Sequence, residues 1–319
     1  MSDVPSPRPV DVLILGVTGQ IGHGIGIALA ARGYRVRALV RDVAAARVRA
    51  PFVSTWIEGD AMDAHAVAAA AREAGVIVHA VNPPGYTGWR ERAVPMLKNA
   101  LAAAVTERAT FVFPANVYVF GPGSPAIVDE TTPFAPTTEK GRIRVEMEGM
   151  IEAACQNGAR AIVVRAGDFF GPGYENSWFR QVMAKGGRSA TKIQTLTPKG
   201  IGHAWAYLPD LAETFARLID RRSDLAAFER VHFAGHYDAD GRQFAEAIRR
   251  VVGKPDIRIT AFPWWRVALA SPFVTFLREV WRMRWLWRHP LKLDNGKLER
   301  LIGPEPHTPL DTAIAASLE

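Results

Sequence analysis

A short apolar run that breaks into evenly spaced glycines constrains this chain more than any other feature. Residues 12–15 have the pattern of a buried strand, and Gly16, Gly19 and Gly22 follow at the spacing G-x-x-G-x-x-G. Such glycines allow a tight strand-to-helix turn, close approach of a pyrophosphate to the backbone, and close helix–strand packing. An apolar helical pattern over residues 21–32 begins at the same place, so its first N–H groups would face the negative charge. The stretch predicts a dinucleotide-binding turn.

Apolar runs and helical patterns alternate after this turn. Strands are predicted at residues 34–40, 52–58, 76–81, 111–119, 160–165 and 231–234, and a helix at residues 64–74. This alternation predicts an α/β fold with a Rossmann-type, doubly wound parallel sheet. Because the alternation stops after Gly173, we expect a dinucleotide-binding domain over residues 1–172 and a smaller C-terminal substrate lobe over residues 173–319. The strand near 231–234 would return to the Rossmann sheet.

Ligands of such sheets bind at the carboxyl ends of the strands. The predicted cofactor contacts therefore lie in the glycine turn and just after later strands: Gly16, Thr18, Gly19, Gln20, Ile21, Gly22, Asp60, Ala61, Ala80, Val81, Asn82, Ala166 and Gly167.

Arg41 follows the second predicted strand, where dinucleotide folds meet the adenosine ribose. An arginine there pairs with a 2′-phosphate, and Arg37 is close in sequence, so we predict NADP as the cofactor. NAD remains possible, because Asp42 could accept a hydrogen bond from a 2′-hydroxyl or could instead cap the next helix.

Composition excludes several classes of protein. With 319 residues, 48% of them hydrophobic, the chain can form one large domain or a domain with a smaller lobe. The net charge of +7 favours anionic partners, but no zinc-finger, basic-zipper or RNA-binding signature occurs, so nucleic acid is not an expected partner. The single cysteine, Cys155, fits a reducing, cytoplasmic compartment, and the polar N-terminus resembles neither a signal peptide nor an anchor. His232 and His236 flank a predicted strand end without clustered cysteines or carboxylates, so no metal site is expected.

Six segments, in this order, resemble the short-chain dehydrogenase/reductase superfamily in its extended, epimerase/dehydratase-like branch. They are GVTGQIG at 16–22, GD at 59–60, NVYVFGPG at 116–123, RAGDFFGPG at 165–173, HAWAYLPDLA at 203–212 and LDNGKLERLIGPEPHTPLDTAI at 293–314. The resemblance covers nearly the whole chain. It implies an NAD(P)-dependent oxidoreductase or epimerase/dehydratase-like enzyme with a small-molecule substrate and, by analogy, a homodimer.

The same resemblance exposes an atypical catalytic triad. The family's serine or threonine, tyrosine and lysine are replaced by Asn116, Lys140 and Arg144. Asn116 could hydrogen-bond a substrate carbonyl, Lys140 could act as a proton donor beside the cofactor, and Arg144 could hold the cofactor ribose or tune Lys140. Alternatively, Lys140 is a solvated surface lysine, and Arg144 forms an ordinary surface ion pair with Glu148. A displaced phenol could come from Tyr86 or from Tyr118, although alternation with its valine neighbours predicts that Tyr118 belongs to the core.

The residues predicted to contact substrate are mostly aromatic. They are Tyr86, Trp89, Asn116, Tyr174, Trp178, His203, Trp205 and Tyr207. This set favours a small apolar or aromatic carbonyl or alcohol over a sugar nucleotide, unless the aromatic residues form the core of the smaller lobe. Two other functions remain open: a lyase or aldolase-like enzyme that forms a Schiff base on Lys140, and a non-enzymatic NADP(H) sensor.

Residues 262–291 contain five of the nine tryptophans, interleaved with arginines. Phe273, Leu277, Val280 and Arg284 fall at helical spacing, which predicts an amphipathic helix. We expect this segment to pack as a lid or within the lobe. A subunit contact, or contact with a membrane surface, is possible but less favoured.

Overall fold

The computed structural model describes residues 10–83 and 88–319. Its strands, in chain order, are β1 Asp11–Leu15, β2 Arg35–Val40, β3 Thr55–Glu58, β4 Val76–His79, β5 Thr110–Asn116, β6 Ile127–Val128, β7 Arg160–Ala166, β8 Asp168–Phe170, β9 Lys192–Thr195, β10 His203–Tyr207, β11 Phe228–His232, β12 His236–Asp238, β13 Arg258–Ala261 and β14 Lys292–Leu293.

The α-helices, again in chain order, are α1 Gln20–Ala30, α2 Val43–Arg49, α3 Ala64–Ala71, α4 Trp89–Glu107, α5 Glu139–Gln156, α6 Leu208–Asp220, α7 Gln243–Val252, α8 Trp264–Ala270, α9 Thr275–Met283, α10 Gly296–Ile302 and α11 Leu310–Ser317. Among the described residues, no helix is both long and apolar enough to cross a bilayer.

The central element is a sheet of seven parallel strands in the order β11-β7-β5-β4-β1-β2-β3. The chain moves outward from β1 through β2 and β3, and then returns to the other side of β1 with β4. This reversal creates a crevice at the carboxyl ends of β1 and β4, where doubly wound sheets bind ligands. The predicted Rossmann-type fold is confirmed, including the return of the late strand, which spans Phe228–His232.

Hydrophobic residues of β1 alternate between the two faces of the sheet. Val12 and Ile14 belong to the cluster under α1 and α6, whereas Leu13 and Leu15 belong to the cluster under α3, α4 and α5. All four are almost completely buried, as expected for a parallel strand covered by helices on both faces.

One predicted strand boundary is wrong in a way that affects the site. The fifth strand ends at Asn116, and Val117–Val119 form a 3-10 turn instead of extending it. The side-chain oxygen of Asn116 accepts a hydrogen bond from the Tyr118 N–H at 3.1 Å, which competes with continued strand pairing. Tyr118 therefore does not alternate as a strand residue: it packs against two core clusters and also lines a cavity.

The smaller sheets and the later helices form a third hydrophobic cluster. Strands β8, β10 and β12 form one sheet, β9 pairs with β13, and β6 pairs with β14. The cluster joins Phe120 and Phe170 to Phe244 and Trp287, residues from both sides of the predicted domain boundary. The division at residues 172 and 173 remains a prediction.

Candidate active site

The glycine turn between β1 and α1 is shaped by close backbone contacts. Gly16 has a φ of +93°, and a Cβ on it would lie 2.7 Å from the carbonyl carbon and oxygen of Ala80. A Cβ on Gly22 would collide with the carbonyl oxygen of Gly16. Gly19 precedes α1 without a capping side-chain hydrogen bond, so N–H groups of the first turn face outward, as a dinucleotide pyrophosphate requires. These glycines form a cradle that is open because they carry no side chains, and this cradle fits the predicted cofactor.

Other residues predicted to contact the cofactor surround this turn. The side-chain amide of Gln20 donates to the Gly173 carbonyl at 2.6 Å, tying the turn to the loop after β8. Thr18 is exposed, Asp60 accepts from the Met62 N–H at 2.9 Å, and the Ala61 carbonyl accepts from Asn99. These positions are compatible with cofactor contact, which remains a prediction for each.

The end of β2 bears on the choice between NAD and NADP. Arg41 is exposed, whereas the carboxylate of Asp42 accepts from the Ala45 N–H at 2.9 Å and caps α2. Arg37 does not assist Arg41, because its guanidinium donates to the Arg72 carbonyl at 2.6 Å. The prediction of NADP therefore depends on Arg41, the arginine that follows the strand.

A cavity of about 910 Å³ opens beside the turn, at the carboxyl ends of β4, β5 and β7. It brings together ten of the predicted site residues: Ile21, Ala80, Val81, Asn82, Trp89, Asn116, Arg144, Gly167, Tyr174 and Trp178. Tyr86 lies outside the described residues. Ala166 is fully buried in β7.

Three predicted substrate contacts occupy other positions. Trp205 and Tyr207 are buried against Phe170, with ring centroids 6.4 and 5.3 Å away, and Trp205 stacks on Phe244. His203 is buried behind Asp168. These residues are not among those that line the cavity, because β10 places them in the core of the third cluster. The alternative interpretation, an aromatic core, applies to Trp205 and Tyr207.

Two polar residues that line the cavity were missed from the sequence. His79, the last residue of β4, is 2% exposed, and neither ring nitrogen has a hydrogen-bond partner among the described residues. Burial, with a smaller contribution from the charge of Arg144, lowers the pKa of His79 to about 3, so its imidazole is neutral. Asp168 was overlooked although it directly follows Gly167, and a position next to a strand end was the signal that could have identified both.

Helix α5 carries Lys140, Arg144 and Glu148 at four-residue spacing, on one face that points into the protein. Lys140 is 3% exposed, and its ammonium lies 2.5 Å from the Glu279 carboxylate of α9. Glu148 is fully buried and binds Arg165 with both oxygens, at 2.9 and 2.7 Å. The surface-lysine and surface ion-pair alternatives are therefore wrong.

Arg144 is 7% exposed and lines the cavity. Its guanidinium carbon lies 4.9 Å from the ring centroid of Trp89 and 5.5 Å from that of Phe113, and it donates to Asn82 Oδ1 at 3.1 Å. Burial lowers the pKa of Arg144 to about 10, which still leaves it charged at neutral pH.

Asp168 and His203 form a second polar contact at the cavity wall. His203 Nε2 lies 2.9 Å from Asp168 Oδ2, and His203 Nδ1 lies 3.1 Å from the carbonyl oxygen of Leu286. A carbonyl oxygen can only accept, so a hydrogen bond to Leu286 requires a proton on Nδ1. A hydrogen bond between Nε2 and Oδ2 requires another proton, on the imidazole or on the carboxyl. Both contacts are hydrogen bonds at once only if the pair holds one proton more than a neutral histidine beside a carboxylate.

Helices α8 and α9 form a hairpin over the cavity. Val267, Phe276, Leu277 and Val280 line the cavity, in agreement with the predicted lid. The outer side of the hairpin exposes large apolar residues as well: Trp265, Leu269, Phe273 and Val274.

Comparison with known proteins places the chain in a family. The model of the NAD dependent epimerase/dehydratase family matches residues 12–232. A 3-diazoavenalumate denitrifying reductase from a Streptomyces species is 31% identical over 182 residues, covering 51% of this chain and 57% of the relative. The chain thus matches little more than half of that relative's length.

Solved structures share the fold. A variant of the UDP-glucuronic acid 4-epimerase of Bacillus cereus superimposes with a TM-score of 0.77 at 14% identity, covering 97% of this chain and 98% of that chain. The dTDP-glucose 4,6-dehydratase of Streptomyces venezuelae gives 0.75 at 17% identity, covering 97% and 96%. The family match extends over most of the sheet and includes the glycine turn and the strand ends around the cavity. The chain therefore belongs to the NAD dependent epimerase/dehydratase family, as its motifs predicted.

Proposed function

We propose that this protein is an NAD(P)-dependent oxidoreductase that acts on a small apolar or aromatic carbonyl or alcohol. One observation carries the proposal: the glycine cradle at Gly16 and Gly22 and a mostly apolar cavity lie at the same edge of the sheet. Ile21 and Ala80 belong to both regions, so a dinucleotide on the turn would project into the cavity. Aromatic and aliphatic side chains on its walls favour an apolar substrate.

The cofactor is a nicotinamide dinucleotide in this proposal. The Bacillus cereus and Streptomyces venezuelae structures contain NAD, which supports this class of cofactor. We propose NADP for this chain because Arg41 is exposed at the end of β2 while Asp42 is occupied as a helix cap. Such a cofactor supplies or accepts the hydride.

Asn116 is placed to orient the substrate. Its Oδ1 accepts from the Tyr118 N–H, which directs the other side of the amide, a hydrogen-bond donor, away from the backbone. Asn116 also lines the cavity at the end of β5. We propose that its amide donates to the substrate oxygen, the orienting role that the family resemblance assigns to this position.

The proton is supplied by the Asp168–His203 pair in this proposal. Asp168 lines the cavity and lies 2.9 Å from His203 Nε2, and the additional proton of the pair would lie between these two atoms. As the carbonyl is reduced, the one additional proton of the pair passes from Asp168 to the substrate oxygen, which leaves the Asp168 carboxylate beside a neutral His203. Asp168 would be catalytic, whereas His203 would be a positioning residue and proton source.

Lys140 has a different place in this mechanism from the one first predicted. Its ammonium is held by Glu279, and Lys140 is not among the described residues lining the cavity. We propose that it positions α9 over the cavity. A buried ammonium on a carboxylate is also unsuited to forming a Schiff base, which requires a neutral amine that reaches the substrate. Neither the lyase alternative nor the non-enzymatic sensor is favoured.

The assembly is proposed from the family resemblance alone. We propose a homodimer, with the exposed apolar side of the α8–α9 hairpin as a less favoured contact with a membrane surface. Light scattering on the purified protein measures the oligomeric state, and flotation with anionic vesicles measures membrane binding.

A fluorescence titration with NADPH and NADH tests the function. We expect tight NADPH binding, weaker NADH binding, and oxidation of bound NADPH by at least one member of a panel of apolar and aromatic carbonyl compounds. Gly16→Ala should abolish binding of both nucleotides. Absence of binding to the unaltered protein would contradict the proposal, and binding without turnover across the panel would favour the sensor.

A further inference from the structure

Arg144 presents a buried positive charge that no described carboxylate contacts within 4.0 Å. Its side chain forms no ion pair within 4.0 Å of a described carboxylate, and its Nε has no hydrogen-bond partner among the described residues. An isolated buried charge is unfavourable unless it is paired and hydrogen-bonded. Arg144 therefore has hydrogen-bond and ring contacts but no carboxylate partner among the described residues.

The nearby carboxylates are already engaged elsewhere. Glu148, one helical turn along α5, binds Arg165 with both oxygens and contacts Arg230 at 3.2 Å. Across the cavity, the Asp168 carboxyl is hydrogen-bonded to His203. A rearrangement that neutralised Arg144 would break one of these buried contacts.

The Glu279 carboxylate on the lid is engaged as well. Its two oxygens pair with Lys140 at 2.5 Å and with Arg282 at 2.8 Å. The carboxylates around the cavity thus have other partners, and none of those described pairs with Arg144.

The surroundings of Arg144 leave the edge of its guanidinium as the binding surface. Trp89 and Phe113 lie within cation–π distance of the guanidinium, and Asn82 occupies one terminal nitrogen. The guanidinium edge presents paired N–H donors that match the two oxygens of a carboxylate, and such bidentate pairs are among the strongest hydrogen bonds in proteins.

We propose that Arg144 binds a carboxylate carried by the substrate, so that the substrates are small apolar or aromatic carboxylic acids with a reducible group elsewhere. This assignment specifies the substrate class of the proposed function. It depends on that function only for the statement that the substrate carries a reducible group. His79, neutral and without a hydrogen-bond partner among the described residues, lines the same cavity and can add a hydrogen bond to the ligand. A phosphate of the cofactor is the other anion that could reach this arginine.

Two matched probe compounds distinguish a substrate carboxylate from a cofactor phosphate as the anion that Arg144 binds. Cinnamate carries a carboxylate on an apolar aromatic body, and cinnamamide has the same shape without the charge. Calorimetry on the NADP-loaded protein should show cinnamate binding at least tenfold more tightly than cinnamamide. Arg144→Gln should remove that preference without changing NADPH affinity, and Arg144→Lys should keep part of it. Gln181→Ala, another change at the cavity wall, is the control and should preserve the preference.

Folding of the variants gives an independent readout. Since Arg144 has no protein counterion within 4.0 Å among the described residues, Arg144→Gln should melt no lower than the unaltered protein, whereas removing a structural ion-pair partner would lower the melting temperature. Equal affinity for both probes, no cinnamate binding at millimolar concentration, or loss of NADPH affinity in Arg144→Gln would each overturn the assignment. If cinnamate preference persists while NADPH fails to bind and no carbonyl is reduced, the carboxylate site stands and the proposed oxidoreductase function fails.

Discussion

The Nζ of Lys140 lies 2.5 Å from Oε2 of Glu279, joining the middle of the Rossmann fold to the hairpin that covers the cavity. In this chain, the position that the family resemblance assigns to the catalytic tyrosine holds a lysine that is paired with this hairpin. The pair is nearly buried, so replacing Glu279 removes the carboxylate that the Lys140 ammonium contacts.

Glu279→Gln is expected to destabilise the protein by about 3 kcal/mol, because it removes the carboxylate that pairs with the buried Lys140 ammonium. The double variant Lys140→Met/Glu279→Gln should recover much of that loss. Urea unfolding measures both. Arg278→Ala, at an exposed position of the same helix, is the control. A double variant no more stable than Glu279→Gln would show that the ion pair is not the cause.

Gly16→Ala is expected to abolish nucleotide binding, since the new Cβ would lie 2.7 Å from the Ala80 backbone at a φ of +93°. Gly33→Ala is a matched control: Gly33 also has a positive φ, +80°, but a Cβ there meets no atom within 4 Å. It should cost about 1 kcal/mol of stability through backbone strain and leave NADPH affinity unchanged. Equal nucleotide affinities in the two variants would contradict the close-approach argument.

Arg41→Ala should weaken NADPH binding roughly tenfold or more and leave NADH binding almost unchanged, because only NADPH carries the 2′-phosphate. Asp42→Ala removes a helix cap and should cost about 1 kcal/mol of stability without altering the NADPH-to-NADH ratio. Fluorescence titrations give both ratios. If the NADPH-to-NADH affinity ratio changes in Asp42→Ala but not in Arg41→Ala, the assignment of NADP as the cofactor would be reversed.

Asp168→Asn should lower kcat by about 10²-fold to 10⁴-fold with little change in KM or NADPH affinity, since the proposed loss is of the proton donor alone. Asp238→Asn is the comparison, because Asp238 lies opposite His203 in the strand register and accepts a hydrogen bond from the Gln243 N–H instead of lining the cavity. Steady-state kinetics of the two variants, on a substrate found by screening, test this prediction. Comparable kcat losses in the two variants would indicate a structural effect.

Acid should destabilise the fold below pH 6.5 through its buried histidines. Burial is the largest cause that lowers the pKa of His79 and His232 to about 3 and that of His236 to about 4. Each remains neutral when folded but takes up a proton when unfolded, so stability falls as the pH drops from 6.5 towards these values. The loss is about 1.4 kcal/mol per pH unit for each histidine.

His79→Leu isolates one of these contributions. Urea unfolding between pH 6.5 and 5 should show a dependence on pH that is shallower by about 1.4 kcal/mol per unit than in the unaltered protein. Groups present in both proteins contribute equally to the pH dependence of each, so their contributions cancel when the two slopes are subtracted. An unchanged slope would mean that His79 becomes protonated within the fold.

The central sheet and its glycine turn could be predicted from local features of the sequence. The run of residues 12–15 and the glycines at 16, 19 and 22 dictate a strand, a tight turn and a helix, and alternation along the chain dictates parallel order. Five of the ten predicted site residues that line the cavity end or follow strands whose carboxyl ends meet at one edge of the sheet: Ala80, Val81, Asn82, Asn116 and Gly167.

Tertiary packing decided the environment of the charged groups. The four-residue spacing in α5 fits a solvated helix face as well as a buried one, and only contact with the sheet and with α9 shows that Lys140 and Arg144 are inside. The end of β5 at Asn116 and the pairing of Asp168 with His203, 35 residues away, likewise depend on contacts that no local pattern encodes. Burial determines the energetic effect of a charge, and burial is set by elements distant in sequence.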